Sequence, residues 1–491
     1  MFFIGRYYKK IIKDSQIYIL SLIVAKTGKH KMKRLFGYVL YLNIMSTVYP
    51  CTTILIGKSL SIDGSIIHAH NEDMGKRTVG RLWKDNSNKS SFESTWVPYV
   101  TLEKSNKNLS YWASGNTQQV NRDELNETVL PYDNILVGMN EDGLTMSCNW
   151  MYSKDKAMEK KGIRRYAIRQ LILERCSGAY EAVMLIASLI DSYGQADWGG
   201  LTYVLADPNE AWIVETTAHT WAAKKLKDNE IIAIANRYTI GEDFDLSSAN
   251  LISMAVKNGW YNRSDGKFNF KNVYGDPEYM NELYDIERED RIFQLLKSKK
   301  GKIKPIDLME VLRDSYQNTD QYTSPADFEP WRITCREKKA KRPICTNLCQ
   351  SSFVAHLRPS LPRDIGAVFW FTMATPAYGP YFPIYSIGTK IDASFSKDNS
   401  KEANTTAWWA YRHLQEKMDK LSPEMISQYR KKSLEITKSF IKQQADLDSS
   451  LQYHFQKGNK SKIETIVNRK TMHFSLSSLN YAKDALKRIK Q

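Results

Sequence analysis

The sequence predicts an α+β protein whose β-sheets are covered by layers of helices. Three observations lead to this fold class: short β-type runs separated by turns begin at Cys51, amphipathic helical stretches follow the first two hairpins, and polar helical sequence continues beyond Ala403. Runs of strands and runs of helices are typical of this architecture. The chain has 491 residues, of which 42% are hydrophobic, and this is ample for a large core.

The first predicted elements are two β-hairpins. The run "TTILIGKSLSI" after Cys51 passes through Asp63-Gly64 into "SIIHAH", and the run "NILVGMN" passes through Asp142-Gly143 into "LTMSCNW". An Asp-Gly pair between alternating runs is a strong hairpin signal. Both hairpins are therefore expected to form neighbouring strands of antiparallel sheets.

The register of the first hairpin follows from its turn. A two-residue Asp-Gly turn places His70 opposite Gly57 and Glu72 opposite Leu55. Since side chains alternate along a strand, Cys51 shares a face with His70 and Glu72. The polar group "HNED" is thus predicted to converge on the Cys51 end of the sheet.

Helices and further strands follow in order. The stretches "IRRYAIRQLILERC" and "AYEAVMLIASLIDSY" have apolar residues three and four apart, which predicts amphipathic helices. "LTYVLAD", "AWIVETT", "TWAAKKL" and "EIIAIANRY" predict another meander of strands. Helical sequence runs from Ile286 to Gln317, strands return in "SSFVAHLRPSLPRDIGAVFWFTMATP", and long polar helices close the chain.

The chain is predicted to divide into a leader at 1–50, a catalytic domain at 51–400 and a helical C-terminal extension at 401–491. Met32-Lys33-Arg34 followed by the eleven apolar residues "LFGYVLYLNIM" is typical of a secretory signal. We expect translation to start at Met32 and the mature protein to be exported, periplasmic or extracellular. The alternative is an amphipathic structural arm. Neither this stretch nor the upstream apolar run "IYILSLIVA" (Ile17–Ala25) is long enough to span a membrane, so no stable span is expected in the mature form.

The charge of the chain argues against a nucleic-acid partner. The formal net charge is +16, but residues 1–50 contain nine Lys or Arg and one acidic residue, which is half of the excess. Elsewhere both signs are interleaved, and no basic run alternates with the aromatic residues that single strands stack on. This distribution is that of a solvated surface.

Familiar metal and nucleotide motifs are missing from the sequence. It contains no G-x-S-x-G, H-E-x-x-H or G-x-G-x-x-G pattern. Cys335, Cys345 and Cys349 cluster, but a zinc site would need a fourth ligand at regular spacing, so no metal is expected there. A disulfide in this loop is the prediction if the protein is exported, and buried thiols are the alternative.

Cys51 is the candidate nucleophile because of its place at the end of the leader. A thiol needs a base to become a thiolate, since its ordinary pKa is about 8.5. If the bond between Pro50 and Cys51 is cut, the new α-amine, with a pKa of about 7.7 to 8.0, can act as that base. One residue then supplies both nucleophile and base, as in N-terminal threonine enzymes.

The sequence from Cys51 resembles a known family. "CTTILIGKSLSIDGSIIHAHNED" is similar to the start of mature dipeptidases of the N-terminal-nucleophile cysteine hydrolases, the dipeptidase A and secernin group. The likeness continues through "VGMNEDGLTMS", "YGQADWGGLTYVLADPNEAWIVETTAHTWAA", "AIANRY" and "LRPSLPRDIGAVFWFTMATPAYGPYFPIY", in the same order. It covers roughly Cys51 to Tyr385, and five pieces in one order make coincidence an inadequate explanation.

The resemblance implies a four-layer αββα fold and hydrolysis of dipeptides without a metal or organic cofactor. It implies that Cys51 is the nucleophile and that Asp73 holds its α-amine, as in the related bile-salt and penicillin amidases. Asn236 and, more loosely, Asn149 match the side chains near the oxyanion. His70 departs from the wider superfamily, which has Arg there, and a neutral imidazole does not supply the permanent charge of Arg.

Three functions are open on these grounds. The favoured one is an exported thiol dipeptidase that processes itself and acts on dipeptides or short peptides. The second is a hydrolase of N-acyl amides of the bile-salt or penicillin type, whose apolar pocket "PAYGPYFPIY" would line. The third is a non-catalytic envelope binding protein that uses the C-terminal helices. Relatives often assemble, so a homo-oligomer is also expected.

Overall fold

The structure is a computed structural model of the chain. It describes residues 51–74, 79–86, 100, 102, 105, 107–120, 130–157, 161–197, 199–281, 283–322, 341–397, 406–418 and 420–489. The predicted leader, Cys335 and the predicted boundary between residues 400 and 401 lie outside the described residues.

Fourteen strands of the described residues form two antiparallel sheets. The six-stranded sheet has the order β10-β1-β2-β12-β13-β14, and the eight-stranded sheet has the order β11-β9-β8-β7-β6-β5-β4-β3. The strands are β1 (Thr52–Ile56), β2 (Ile66–Asp73), β3 (Arg81–Asp85), β4 (Tyr111–Val120), β5 (Leu130–Asn140), β6 (Thr145–Met151), β7 (Gly200–Ala206), β8 (Ala211–Thr216), β9 (Trp221–Lys225), β10 (Ile231–Ile234), β11 (Leu246–Ser247), β12 (Cys349–Leu357), β13 (Ala367–Met373) and β14 (Phe382–Tyr385).

The first hairpin forms with a register that differs from the prediction by four residues. His70 pairs with Thr53, not with Gly57, and His68 pairs with Leu55. The reason is that Lys58–Leu60 forms a 3-10 turn after β1, so the connection is longer than a two-residue loop. Because the shift is an even number of residues, the predicted sharing of one face by Cys51, His70 and Glu72 is preserved.

The predicted second meander is correct for three strands and wrong for the fourth. Strands β7, β8 and β9 are consecutive neighbours in the eight-stranded sheet. Strand β10 leaves that sheet and pairs with β1, where Thr53 lies opposite Ile234. This exchange carries the chain to Asn236, which follows β10, and so brings Asn236 close to the start of β1.

Helices cover the outer face of each sheet. Helices α1 and α2 contact the eight-stranded sheet, and α6, α7, α10, α11 and α12 contact the six-stranded sheet. The helices are α1 (Arg165–Arg175), α2 (Ala179–Tyr193), α3 (Leu251–Lys257), α4 (Phe270–Tyr274), α5 (Pro277–Met280), α6 (Leu283–Leu296), α7 (Pro305–Leu312), α8 (Arg363–Gly366), α9 (Ala393–Ser396), α10 (Ala407–Met418), α11 (Pro423–Gln456) and α12 (Lys460–Ile489).

The two sheets face each other, so the molecule has four layers in the order helix, sheet, sheet, helix. Polar bridges between the facing strands show this directly: His68 on β2 contacts Thr145 and Ser147 on β6. Apolar residues of both sheets, such as Ile54 and Val204, belong to one buried cluster. The predicted α+β architecture is confirmed.

The C-terminal helices complete the outer layer on the six-stranded sheet. Helices α11 and α12 contact strand β14 as well as each other. Phe440 on α11 and Phe474 on α12 are buried, and their ring centroids lie 5.1 Å apart. None of the helices in the described part of the chain has both the length and the apolar character that crossing a bilayer requires.

Candidate active site

Cys51 lies immediately before β1, with its side chain in the space between the two sheets. The residue is 4% exposed, and its thiol donates a hydrogen bond to Oε1 of Glu72 at 3.5 Å. Burial, together with the negative charges of Glu72 and Asp73, raises the pKa of the thiol well above its ordinary value. A hydrogen bond from the backbone N–H of Asp73 opposes this shift in part. Cys51 therefore needs a base close by before it can act as a nucleophile.

His70 and Glu72 extend from the next strand on the same face. Nε2 of His70 lies 3.1 Å from Oε2 of Glu72, and both residues are buried. Burial alone would raise the pKa of Glu72, but the hydrogen bond and charge of His70 hold that pKa below its usual value. The glutamate beside the thiol is therefore a carboxylate.

Asn149 is joined to this group through Thr53. Oγ1 of Thr53 lies 2.7 Å from Nδ1 of His70 and donates to Oδ1 of Asn149 at 2.6 Å. The amide nitrogen of Asn149 donates to the carbonyl oxygens of Ala235 at 2.9 Å and Ile234 at 3.4 Å. Asn149 thus ties β6 to β1 and to the end of β10, with its N–H groups engaged by the backbone. Its match to an oxyanion donor stays a prediction.

Asp73 reaches the Cys51 end of the sheet from the opposite face. It pairs with Cys349, next to the point where the register of β12 shifts. Its Oδ2 accepts from Arg342 at 3.2 Å and from Thr346 at 3.4 Å. Within the described residues its Oδ1 is buried and has no hydrogen-bond partner. Burial raises the pKa of Asp73 to about 7 against the opposing charges of Arg342 and Arg288.

Asn236 lies beside the backbone of Cys51, and Arg288 holds the two together. The guanidinium of Arg288 donates to the carbonyl oxygen of Cys51 at 2.6 Å and to Oδ1 of Asn236 at 2.9 Å. It also forms an ion pair with Asp285 on the same helix. The amide nitrogen of Asn236 donates to the carbonyl oxygen of Trp150 at 2.9 Å, its one hydrogen bond within the described residues, so its second N–H can serve an oxyanion.

The structure therefore brings all five predicted site residues together around the start of β1. These are Cys51, Asp73, Asn236, Asn149 and His70, and the roles assigned to them stay predictions. Four further residues complete the site and were not assigned a catalytic role from the sequence: Thr53, Glu72, Arg288 and Arg342. The sequence does contain a signal for Thr53 and Glu72, because the alternation of side chains in the first hairpin places both on the same face as Cys51. Arg288 and Arg342 carry none, because they come from distant segments that look like ordinary charged sequence.

His68 does not take part in the site. Its Nδ1 lies 3.0 Å from Oγ1 of Thr145 and its Nε2 lies 2.8 Å from Oγ of Ser147. Burial lowers its pKa well below the ordinary value, so the ring is neutral. His68 links the two sheets, and it does not supply a charge near Cys51.

The other cysteines of the described chain are buried thiols. Cys345 contacts Thr375, and Cys349 donates to the carbonyl oxygen of Ser351. Cys345 and Cys349 are therefore not joined to each other. A disulfide with Cys335 lies outside the described residues.

Cys51, His70 and Glu72 form a compact group of three. One sulfur, nitrogen or oxygen atom from each lies within 4.8 Å of the others, a spacing that a cation such as Zn²⁺ can also bridge. Here the spacing is that of hydrogen bonds, which run to the carboxylate from the thiol on one side and the imidazole on the other. The arrangement is that of a buried thiol next to a carboxylate that also binds an imidazole.

Comparisons with known proteins agree with the predicted relationship to dipeptidases. A probable dipeptidase of Salmonella dublin is 25% identical over 398 residues, which cover 72% of this chain and 85% of that protein. A probable dipeptidase B of Streptococcus pyogenes is 24% identical over 422 residues, which cover 76% of this chain and 79% of that protein.

Two solved structures are also similar to the chain. A mutant conjugated bile acid hydrolase from Clostridium perfringens is 13% identical and has a TM-score of 0.37, over 68% of this chain and 92% of that one. A penicillin V acylase from Agrobacterium tumefaciens is also 13% identical with a TM-score of 0.37, and the similarity covers 71% of this chain and 89% of that one. These scores are too low to decide the fold, which is established by the two sheets and their helical layers.

The family is decided by a match over most of the chain. The sequence pattern described as Peptidase family C69 matches residues 50–434, from the residue before Cys51 to the first third of α11. It spans both sheets and every residue of the site described above. The chain belongs to peptidase family C69 and is a peptide hydrolase.

Proposed function

We propose that this chain is a thiol dipeptidase whose nucleophile is Cys51, released as an N-terminus by cleavage of the bond to Pro50. The observation that carries the proposal is the buried Oδ1 of Asp73, which has no partner among the described residues and belongs to a residue whose backbone N–H and charge act on the Cys51 thiol. An unsatisfied buried carboxylate oxygen costs about 1 to 3 kcal/mol or more. The α-ammonium created by cleavage is a donor of the right charge for it.

In the proposed reaction the α-amine of Cys51 takes the proton of its own thiol. The thiolate attacks the peptide carbonyl carbon, and the oxyanion accepts hydrogen bonds, one of them from the amide of Asn236. When the C–N bond breaks, the ammonium returns its proton to the leaving amine and a thioester remains. Water then attacks the thioester with the amine as base, which restores the thiol and releases the acyl product.

The test compares the intact protein with Cys51 variants. Mass spectrometry of the purified protein is expected to give Cys51 as the N-terminus, and the protein is expected to release free amino acids from a panel of dipeptides. Cys51→Ala is expected to abolish release. The matched control is Cys176→Ala, another buried thiol, at the end of α1, which should keep the activity. Full activity with the bond between Pro50 and Cys51 intact would contradict the proposal.

The same assays distinguish the alternative substrate class. Conjugated bile-salt and penicillin amides are included beside the dipeptides, and hydrolysis of the amides alone would replace the dipeptidase assignment by an amidase one. Cys51→Ala also tests how the leader is removed. We expect the leader to stay attached in this variant, because autocatalytic cleavage needs the thiol. Removal in the variant would indicate an external protease.

We also propose that the protein is exported. The support is the leader itself, in which a short basic region precedes the apolar residues Leu35–Met45. A chain that begins at Met32 is expected to reach the exported fraction, and deletion of Leu35–Met45 is expected to keep it inside the cell. If the chain that begins at Met32 and the chain without Leu35–Met45 were found in equal amounts in the exported fraction, this proposal would be contradicted and the proposed chemistry would be unaffected.

A further inference from the structure

Glu72 has no task in the mechanism proposed above. Its carboxylate lies 3.5 Å from the sulfur of Cys51 and is 2% exposed, so it is a buried anion next to the nucleophile. A negative charge at this place opposes formation of the thiolate. A group that works against the nucleophile in the free enzyme is expected to have a different partner when substrate is bound.

The hydrogen bonds of the site decide where the protons lie. The carbonyl oxygen of Ala235 can only accept a hydrogen bond, so the amide group of Asn149 points its NH₂ toward Ala235. The amide oxygen Oδ1 of Asn149 then faces Thr53 as an acceptor. Thr53 has a single hydroxyl proton and gives it to this acceptor at 2.6 Å. The oxygen of Thr53 therefore accepts from Nδ1 of His70, so Nδ1 carries a proton.

The other ring nitrogen of His70 faces Glu72 at 3.1 Å. A hydrogen bond between them needs one proton, and with Glu72 as a carboxylate this proton is on Nε2 of His70. Both ring nitrogens of His70 therefore act as donors, one to Thr53 and one to Glu72. The hydrogen bond from His70 holds the pKa of Glu72 below its usual value inside the protein, and the positive charge of Arg169 acts in the same direction.

The carboxylate of Glu72 retains room for another donor. A carboxylate offers about four lone-pair positions. Among the described residues, Oε1 accepts from the thiol of Cys51 and Oε2 accepts from His70, which uses two of the four. A cationic N–H group that enters the site with the substrate would find an ionised acceptor beside the reacting sulfur.

We propose that Glu72 binds the α-ammonium of a peptide whose first carbonyl is attacked by Cys51. The inference rests on the proposed function and adds which end of the substrate is recognised. In a peptide the α-nitrogen lies roughly 2.5 Å from the carbonyl carbon of its own residue. Attack brings that carbon to about 3 to 3.5 Å from the sulfur. These lengths allow the ammonium to approach within hydrogen-bond reach of the carboxylate oxygen that itself lies 3.5 Å from the sulfur.

This arrangement makes the enzyme selective for a free N-terminus. An N-acylated peptide carries no positive charge at that nitrogen and leaves the buried carboxylate facing an uncharged group. Hydrogen bonds to charged groups are the stronger class, and a site built for one rejects substrates without it. We expect wild type to prefer alanyl-leucine over N-acetyl-alanyl-leucine by about 100-fold in kcat/KM.

The experiment measures both substrates with Glu72→Gln and a control. Because removal of this charge also changes the reactivity of the thiol toward every substrate, the readout is the ratio of kcat/KM for alanyl-leucine to kcat/KM for the acetylated substrate, which Glu72→Gln is expected to lower by about 100-fold. The control is Glu242→Gln, an exposed position, which should behave as wild type. Equal losses on both substrates, or a wild type that hydrolyses both equally well, would overturn the role of Glu72.

A second measurement uses wild type alone and does not depend on turnover or on the folding of a variant. Iodoacetamide alkylates Cys51, and alanyl-leucine is expected to slow this reaction, whereas the acetylated form is not. Equal protection by the two would overturn the inference. If wild type hydrolyses neither substrate, the proposed dipeptidase function fails, and the protection result still decides whether the site around Cys51 recognises an ammonium.

Discussion

At the scale of single residues, Arg288 organises Cys51, the proposed nucleophile, through the backbone of that residue. Its guanidinium is completely buried and donates to the carbonyl oxygen of Cys51, to Thr52 and to Asn236. Asp285 supplies the compensating charge, since a buried cation without a partner is strongly destabilising. The planar guanidinium serves three acceptors at fixed angles, which an ammonium group cannot do. Cys51 and Asn236 are therefore held in one geometry.

Thr53 gives the first prediction, because one hydroxyl orders two other side chains. Thr53→Val leaves Nδ1–H of His70 and Oδ1 of Asn149 without a partner, and both are buried. Each unsatisfied group costs about 1 to 3 kcal/mol, so we expect a loss of about 3 kcal/mol in the free energy of unfolding. Urea denaturation measures this loss.

The matched control for Thr53 is Thr53→Ser, which keeps the hydroxyl and loses one methyl group. It is expected to remain within about 1 kcal/mol of wild type. If the Val variant proves as stable as the Ser variant, the hydroxyl does not bridge the two side chains. The hydrogen-bond directions inferred for His70 would then lose their basis.

The sequence predicts site residues that lie in the hairpin better than those that come from elsewhere. Cys51, His70 and Glu72 share a face because side chains alternate between the two faces of a strand. The predicted register is wrong by four residues, and an even shift leaves each side chain on the same face. Asn236 and Asn149 were selected only through the family resemblance. Arg342 follows a stretch of charged residues whose pattern does not distinguish a buried partner of Asp73 from a surface cation. Long-range ion pairs of this kind depend on tertiary packing alone.

At the scale of elements, the path from β8 to the segment after β10 fixes where Asn236 lies. Glu215 on β8 accepts hydrogen bonds from the backbone N–H and hydroxyl of Thr239 and from the backbone N–H of Ile240. These bonds hold the segment after Asn236 against the eight-stranded sheet, while β10 belongs to the other sheet. Sequence periodicity shows that β10 is a strand, but it does not show which sheet the strand joins.

Glu215 also gives a prediction for the dependence of stability on pH. Burial raises its pKa to about 7, although the surrounding N–H donors oppose the shift. A carboxyl with a raised pKa in the folded state contributes most to stability at low pH, and this contribution is lost as pH rises through about 7. One pKa unit corresponds to 1.36 kcal/mol, so titration of Glu215 is expected to lower the free energy of unfolding of wild type by about 2 to 3 kcal/mol between pH 5 and pH 8.

Comparison with Glu215→Gln isolates this effect, because other groups titrate alike in both proteins. The variant is expected to be less stable at pH 5, since its amide NH₂ faces backbone donors. The difference in the free energy of unfolding between wild type and Glu215→Gln should then decrease by about 2 to 3 kcal/mol as the pH rises from 5 to 8. Urea denaturation at several pH values measures the gap. A gap that does not change with pH would show that Glu215 is already ionised at pH 5.

At the scale of the whole molecule, the C-terminal helices belong to the packed body. The family match ends at residue 434, so most of α11 and all of α12 lie beyond it. Nevertheless Leu447 and Leu451 on α11 and Val467 on α12 are part of the same buried cluster as the six-stranded sheet. Their predicted helical character could be derived from the sequence. Their docking could not, because a largely polar composition does not show which of the few apolar residues face the sheet.

A polar cluster fixes α11 to the sheet and provides the last prediction. Asp448 forms an ion pair with Arg358, which follows β12, and accepts from the hydroxyl of Tyr385 on β14 at 2.6 Å. Asp448→Ala leaves a buried guanidinium without its charge, so we expect a loss of about 3 to 5 kcal/mol in the free energy of unfolding. Asp446→Ala, an exposed position on the same helix, should change it by less than about 0.5 kcal/mol. If both variants were as stable as wild type, the helix would be an appendage free to bind other partners, and the layer over β14 would not contribute to folding.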